Sequence, residues 1–329
     1  MDRRHLLFAA ALGTLALHGR GAVLAQGTFP DRPIRLVLGF AAGGPTDIVA
    51  RRLADRLGSV VRQSIVVENR TGASGTIASA EVARARPDGY TLMLATSSSH
   101  AIAATLMRRP TFDPIADFAP IALVGEVPMV MAVHPSFEAQ SLPALLELVR
   151  RAPRGSINYA SSGAGGIAHF TAELLMRQAG GVLMTQVPYR GAGLALQDLL
   201  AGHVPIYIDT FATTLNHHRE GRLRIIANFS RIRSPAAPEV PTAIELGVPD
   251  MVANTYNALL APAGTPQPII DILQDAVRRV VAEPDFQAFL SSVSVEPVPD
   301  STPVSTAAYM WQELEKWRPI IQATGMTME

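Results

Sequence analysis

The chain has 329 residues, 48% of them hydrophobic, with 28 basic against 28 acidic side chains and no cysteine. The missing cysteines exclude disulfides, thiolate metal sites, cysteine nucleophiles and a lipid-modified cysteine anchor, and the charge balance offers no general attraction to nucleic acid. Lys316 is the only lysine, which argues against Walker-type phosphate binding and Schiff-base chemistry.

Residues 1–25 read as a cleaved secretory signal: Arg3 and Arg4, the apolar run Leu6 to Leu17, and the small-residue ending Val23-Leu24-Ala25. His18, Gly19 and Arg20 interrupt that run short of the ~20 apolar residues a spanning helix needs. The paired arginines admit the twin-arginine route beside the general secretory one. Losing Arg3, Arg4, Arg20 and Asp2 leaves a mature chain, starting near Gln26, with a formal net charge of −2. About 300 mature residues exceed one ordinary core, so two domains are expected.

A unit then recurs: a short apolar run, a Gly/Ser/Thr loop and an amphipathic helix, the pattern of an α/β fold with mostly parallel strands. Ile34 to Leu38 is the first strand, FAAGGPTD (Phe40 to Asp47) its loop, and Ile48, Val49, Leu53, Leu57 and Val60 mark the helix. Ser64 to Glu68, the loop Asn69 to Ser79 and a helix ending before Pro87 form the second copy. The turn Pro87 to Tyr90 leads to the strand Thr91 to Ala95, which ends in Thr96 to Ser99.

Beyond the apolar segment Ile121 to Val133 comes a helix near Pro143 to Arg151, then the strand Ser156 to Ala160, the loop Ser161 to Phe170 and a helix towards Gln178. VPYRGAGLALQDLLAGHV (Val187 to Val204) precedes the strand Pro205 to Ile208, which ends in Asp209-Thr210. Leu223 to Phe229 reads as a strand leading back, and helices follow near Ile269 to Ala282 and Thr306 to Trp317. The expectation is two α/β domains, residues 26–125 with 229–329 and residues 126–228, joined by crossings at Ile121 to Val133 and Leu223 to Phe229. Two crossings make a hinge with a cleft.

Three chemistries compete for the glycine loops. Gly163-x-Gly165-x-x-Ala168 meets the dinucleotide fingerprint, but after Glu173 the next carboxylate is Asp198, so the acid expected about 20 residues on is missing. GASGT (Gly72 to Thr76) approaches a serine nucleophile elbow, yet Thr76 stands where the strained turn needs glycine. His169, His203, His217 and His218 show no Ser/Asp partners in sequence, and adjacent His217-His218 lacks the spacing for sharing one metal ion. Anion capture without chemistry is the third reading: helix starts present unpaired amides, glycines let a ligand approach the backbone, and Ser/Thr add neutral donors.

In PIRLVLGFAAGGPTDIVARRLADRL, VVENRTGASGTIAS, PDGYTLMLAT, DPIADFAPI, INYASSGAGGIAHF, VPYRGAGLALQDLLAGHV, APEVPTAIELGVP and LLAPAGTP, in that order over nearly the whole mature chain, the sequence resembles the Bug-type solute receptors of tripartite tricarboxylate transporters. The resemblance implies a two-domain, type II periplasmic-binding fold that closes over a small carboxylate in the periplasm, works with membrane permease subunits as a monomer, uses no cofactor and catalyses nothing. It implies a first jaw of Phe40, Ala42, Gly43, Gly44, Thr46 and Asp47, completed by Gly72, Ala73, Ser74, Ser97 and Ser98. The second jaw would be Ser161, Ser162, Gly163 and His169, with Tyr189, Arg190 and Gly191 nearby and Asp209 and Thr210 deeper. For Asp47 and Asp209 helix or turn capping competes with ligand contact; for Tyr189, packing; for Arg190, pairing with Asp198.

Three departures from the family pattern bear on the ligand: Ala41-Ala42 where a proline is common, no Asn-Pro pair after the third strand, and Tyr256 where tryptophan is usual, implying a more polar cleft wall. The alternatives to transport are an exported hydrolase using Ser74 or Ser162 with His169, and a receptor that signals to a membrane sensor.

Overall fold

The structure, a computed structural model, describes residues 29–328; the expected signal segment lies outside the described residues. The inner strands at 34–38 and 91–95 are buried on both faces, which suits pairing under helical cover, while the strands at 65–69 and 185–188 are only partly covered. The first half contains β1 (Ile34–Leu38), α1 (Pro45–Val61), β2 (Ile65–Asn69), α2 (Thr76–Ala83), β3 (Thr91–Ala95) and α3 (Ala103–Leu106), followed by the long strand β4 (Phe118–Val133). A 3-10 turn over Ala73–Gly75 precedes α2, and a π-helical turn over Ser98–Ile102 runs into α3. The second half contains α4 (Leu142–Arg151), β5 (Asn158–Ser161), α5 (Ile167–Gln178), β6 (Thr185–Pro188), α6 (Ala192–Leu200), β7 (Ile206–Thr210), α7 (Phe211–Arg219) and β8 (Arg224–Asn228). The chain closes with β9 (Asn254–Pro262), α8 (Gln267–Ala282), α9 (Pro284–Ser292), β10 (Glu296–Pro297) and α10 (Pro303–Thr324).

The strands run in the order β2-β1-β3-β9-β4-β7-β5-β6, with β8 and β10 also paired to β4. β1 is parallel to β2 and β3, and β5 is parallel to β6 and β7. Each parallel set ends on an antiparallel strand arriving from the other half: β9 beside β3 and β4 beside β7. The front of β4, Phe118 to Pro128, pairs with β9, while Met129 to Val133 pairs with β7 and β8. One sixteen-residue strand therefore carries the connection between the two halves.

The return crossing departs from the sequence reading. Leu223 to Phe229 is not the passage back: β8 pairs with β4 inside the second sheet, and the following segment packs Ala243, Val248 and Met251 into the second core. The chain re-enters the first sheet only at Asn254, after the Ala253 amide donates to the Phe229 carbonyl at 2.8 Å. The 230–253 segment has no long apolar run, so periodicity gives no sign that it is anchored.

Each half has cores on both faces of its sheet. Leu36, Leu53, Leu92 and Phe286 fill one face of the first, and Val37, Met93 and Leu260 the other. Tyr159, Phe170 and Ile208 fill one face of the second, and Tyr207, Phe211 and Leu215 the other. α10 belongs to both halves: Met310 enters the first core, whereas Trp317 and Ile320 enter the second. Tyr256 corrects another expectation, since it is fully buried edge-on to Tyr309 in the first core and adds no polarity to a cleft wall.

Candidate functional site

The site begins with a backbone approach that only glycine permits. A Cβ on Gly39, at the end of β1, would lie 2.7 Å from the Gly75 Cα, and one on Gly75, at φ +93°, would lie 2.6 Å from the Ser99 Cβ. The ends of β1 and β3 and the start of α2 are thereby drawn together.

The FAAGGPTD loop is fastened by a carboxylate. Asp47, 2% exposed, accepts the Gly43 amide at 2.8 Å, Arg51 Nε at 2.8 Å and Asn69 Nδ2 at 2.9 Å. Asn69 Nδ2 also donates to the Phe40 carbonyl at 2.9 Å. Burial opposes the charge of Asp47, but the donors from Arg51, Gly43 and Asn69 overcome it and bring the carboxyl down to about 2. Asp47 thus stays ionised and holds the loop open around exposed Ala42 and Gly43, with half-buried Gly44 capping α1. Pro45 at the first helical position leaves the next first-turn amide, that of Thr46, outside the intrahelical ladder.

Gly72, Ala73 and Ser74 form an exposed corner beside this loop, with Ala73 at φ +45° and Ser74 at φ +56°. Ser97 turns away: it is fully buried, and its hydroxyl donates to the Asn254 carbonyl at the start of β9. Ser98 faces the other half of the molecule, and its Oγ accepts the Ile167 amide, at the start of α5, at 3.3 Å.

The second jaw is fastened in a comparable way by neutral groups. Ser161 Oγ donates to the Gly163 carbonyl at 3.2 Å, and Gln186 Nε2 donates to Ser161 Oγ at 2.7 Å and to the Gly163 carbonyl at 3.1 Å. His169 Nδ1 accepts the Gly165 amide at 3.3 Å, and its Nε2 lies 3.6 Å from Glu173. Among the described residues no hydrogen bond joins His169 to Ser74 or Ser162. Tyr189 donates to Asp198 at 2.6 Å, and burial followed by that carboxylate pushes its phenol up to about 12. Asp198 also meets His203, leaving Arg190 exposed and without an ion pair among the described residues. Gly191 caps α6 at φ +122°.

Asp209 and Thr210 end β7. Asp209 is 6% exposed; its Oδ1 accepts the Thr210 amide at 2.8 Å and the Thr213 hydroxyl at 3.3 Å, while its Oδ2 has no partner. Burial raises the carboxyl, against the Thr210 amide and the neighbouring Ser162 hydroxyl.

The structure joins the turn after β3 to the start of α5 at the Ser98–Ile167 contact, while Ser97, Ser161, His169 and Tyr189 serve as internal fasteners. Asn69, Arg51 and Gln186 are fasteners that the sequence reading did not name. Asn69 ends β2 and Gln186 lies in β6, a short strand that also holds Thr185. Cavities of about 830 Å³ against α10 (Phe112, Trp311, Leu314) and about 700 Å³ beside β10 (Glu126, Asn254, Glu296) lie apart from these loops. Neutral donors and helix starts, with Arg51 tied to Asp47, are groups that suit the oxygens of an anion.

Residues 49–326 match the family described as tripartite tricarboxylate transporter family receptor. Protein BugT of Bordetella pertussis is 34% identical over 316 residues, covering 96% of each chain. MatC of Rhodopseudomonas palustris, solved with bound malate, is 33% identical with a TM-score of 0.78 over 89% of this chain and all of that one. An R. palustris protein solved with adipate is 31% identical with a TM-score of 0.80, over 91% of this chain and 99% of the other. The chain belongs to the Bug-type solute-binding receptors of the tripartite tricarboxylate transporter family.

Proposed function

We propose that this receptor captures a small carboxylate by closing its two halves, in the periplasm, and delivers it to the permease subunits of a tripartite tricarboxylate-type transporter without reaction. The observation that carries the reading is the Ser98–Ile167 hydrogen bond at 3.3 Å, between the turn after β3 and the helix start that follows the Ser161–Gly166 loop. The bound dicarboxylates of two family structures support the ligand class. In this reading Phe40, Ala42, Gly43, Gly44 and Thr46, with Ser98, form the first jaw and Ser162, Gly163 and the α5 start the second; Asp47, Ser161 and His169 hold those loops in shape. The moving bodies are residues 29–125 with 254–328 against residues 126–253, because 230–253 packs into the second core.

A hydrolase is disfavoured by the His169 ring, whose Nδ1 is engaged by Gly165 and whose Nε2 lies beside Glu173. Thermal unfolding of ligand-stripped protein against mono-, di- and tricarboxylates tests the reading. A ligand at 100 times its dissociation constant adds about 2.7 kcal/mol of stability. A shift with one carboxylate class supports the proposal; a native protein that no carboxylate shifts contradicts it.

A further inference from the structure

A buried carboxylate without a partner is a costly feature for a fold to carry. Among the described residues Asp209 Oδ2 is such a group: the residue is 6% exposed and all three hydrogen bonds to its carboxyl fall on Oδ1, from the Thr210 amide, the Thr210 hydroxyl and the Thr213 hydroxyl. It lies where the second jaw converges. Strand register sets Ile208 beside Ser161, the last residue of β5, so the next residue of β7 stands at the root of the Ser161–Gly166 loop. Ser162 and Tyr207 are near enough to favour its charged form, although neither meets hydrogen-bond geometry with Oδ2, and the Tyr207 hydroxyl is turned to the Ala192 carbonyl at 3.3 Å. The local turn uses Oδ1 alone, and Oδ2 takes no part in it.

Resting on the carboxylate-receptor reading above, we infer that Asp209 Oδ2, with the Ser162 hydroxyl beside it, is the specificity subsite for a proton-bearing substituent of the ligand, selecting hydroxy- or amino-carboxylates over their unsubstituted counterparts. The physical reason is asymmetric: an unsubstituted acid leaves the buried oxygen unpaired, whereas a hydroxyl or ammonium supplies the missing donor. The carboxylate end remains with the amides of the glycine loops, so the two ends of the ligand meet opposite chemistries. An ammonium gains more than a hydroxyl where the carboxyl is ionised, because that hydrogen bond is charge-assisted.

Calorimetric titration with matched acids tests this: succinate, malate and aspartate, with five- and six-carbon sets differing in the same way, on wild type and on Asp209→Asn and Ser162→Ala. The expected result is that a hydroxy or amino acid binds at least tenfold tighter than its unsubstituted match, and that Asp209→Asn reduces this preference, most for the ammonium. Ser162→Ala is expected to weaken the same preference and gives a second readout should Asp209→Asn fold poorly. Unsubstituted acids binding as tightly as their matches, or a preference that survives both substitutions, overturns the subsite while leaving the carboxylate receptor intact. Failure of every acid to bind native protein overturns the receptor reading itself, and the subsite with it.

Discussion

Ser98 Oγ accepts the amide of Ile167 at 3.3 Å, joining the turn after β3 to the start of α5 across the two halves of the chain. The bond spends one donor of the α5 start on a hydroxyl of the turn after β3 and, on the closure proposed above, favours the closed arrangement. Ser98→Ala is expected to weaken carboxylate binding by about 2- to 10-fold, the equivalent of one net hydrogen bond of ~0.5–1.5 kcal/mol. The melting temperature without ligand should change little, because the bond links two bodies and not one core. Titration calorimetry beside thermal unfolding separates the two effects.

Asp47 and Asn69 shape the first jaw from behind. The Asp47–Arg51 pair is half open to water, with Arg51 54% exposed, and contributes little by itself. The bonds to the Gly43 amide and Asn69 lie on the buried side and carry more of the effect. Asp47→Ala is expected to destabilise by roughly 2–3 kcal/mol, chiefly through the unpaired groups it leaves, and to abolish carboxylate binding. Asn69→Ala should lose binding with a smaller loss of stability. Denaturant unfolding and calorimetry on both variants check the order.

Two glycines should respond differently to alanine. Gly43 has φ +80° but open space around its missing side chain, so Gly43→Ala costs only the left-handed conformation, about 1 kcal/mol. Gly75 adds a 2.6 Å clash with Ser99 to φ +93°, and Gly75→Ala is expected to cost roughly 2–4 kcal/mol. Equal losses in urea unfolding contradict the close packing of β1, α2 and the turn after β3.

His100 makes stability depend on acid. It is 1% exposed between Phe112 and Phe118, and burial brings its imidazole down to about 4, against the opposing pull of the Pro114 carbonyl. The unfolded chain takes up this proton near pH 6.5 and the folded one only near pH 4. Its contribution is therefore complete above the unfolded value and declines as pH falls from about 6.5 to 4, by an amount on the order of 3 kcal/mol. Asp47 acts lower, between the ordinary aspartate range and about 2. Melting curves from pH 7 to 4 should fall in wild type and fall less in His100→Gln.

Strand–loop–helix repetition made the α/β plan legible, because β1, β3, β5 and β7 are short apolar runs ending in Gly or polar residues. β9 was not named as a strand: NTYNALLAP lacks alternation because it is buried between β3 and β4 on both sides. The hinge return at Asn254 was hidden for the same reason that 230–253 was, since its anchoring is tertiary. The glycine loops were legible as loops; the division of labour inside them was not. Whether Asp47 or Tyr189 touches a ligand or fastens a loop depends on Asn69, Arg51 and Asp198, whose distances no local pattern encodes.

Closure of the two jaws over a carboxylate is measured most directly by small-angle scattering on ligand-stripped protein with and without a saturating dicarboxylate whose binding calorimetry has established. The account predicts a more extended molecule without ligand and, with it, a compact profile matching the structure in which Ser98 meets Ile167. Identical profiles at saturation would contradict capture by closure.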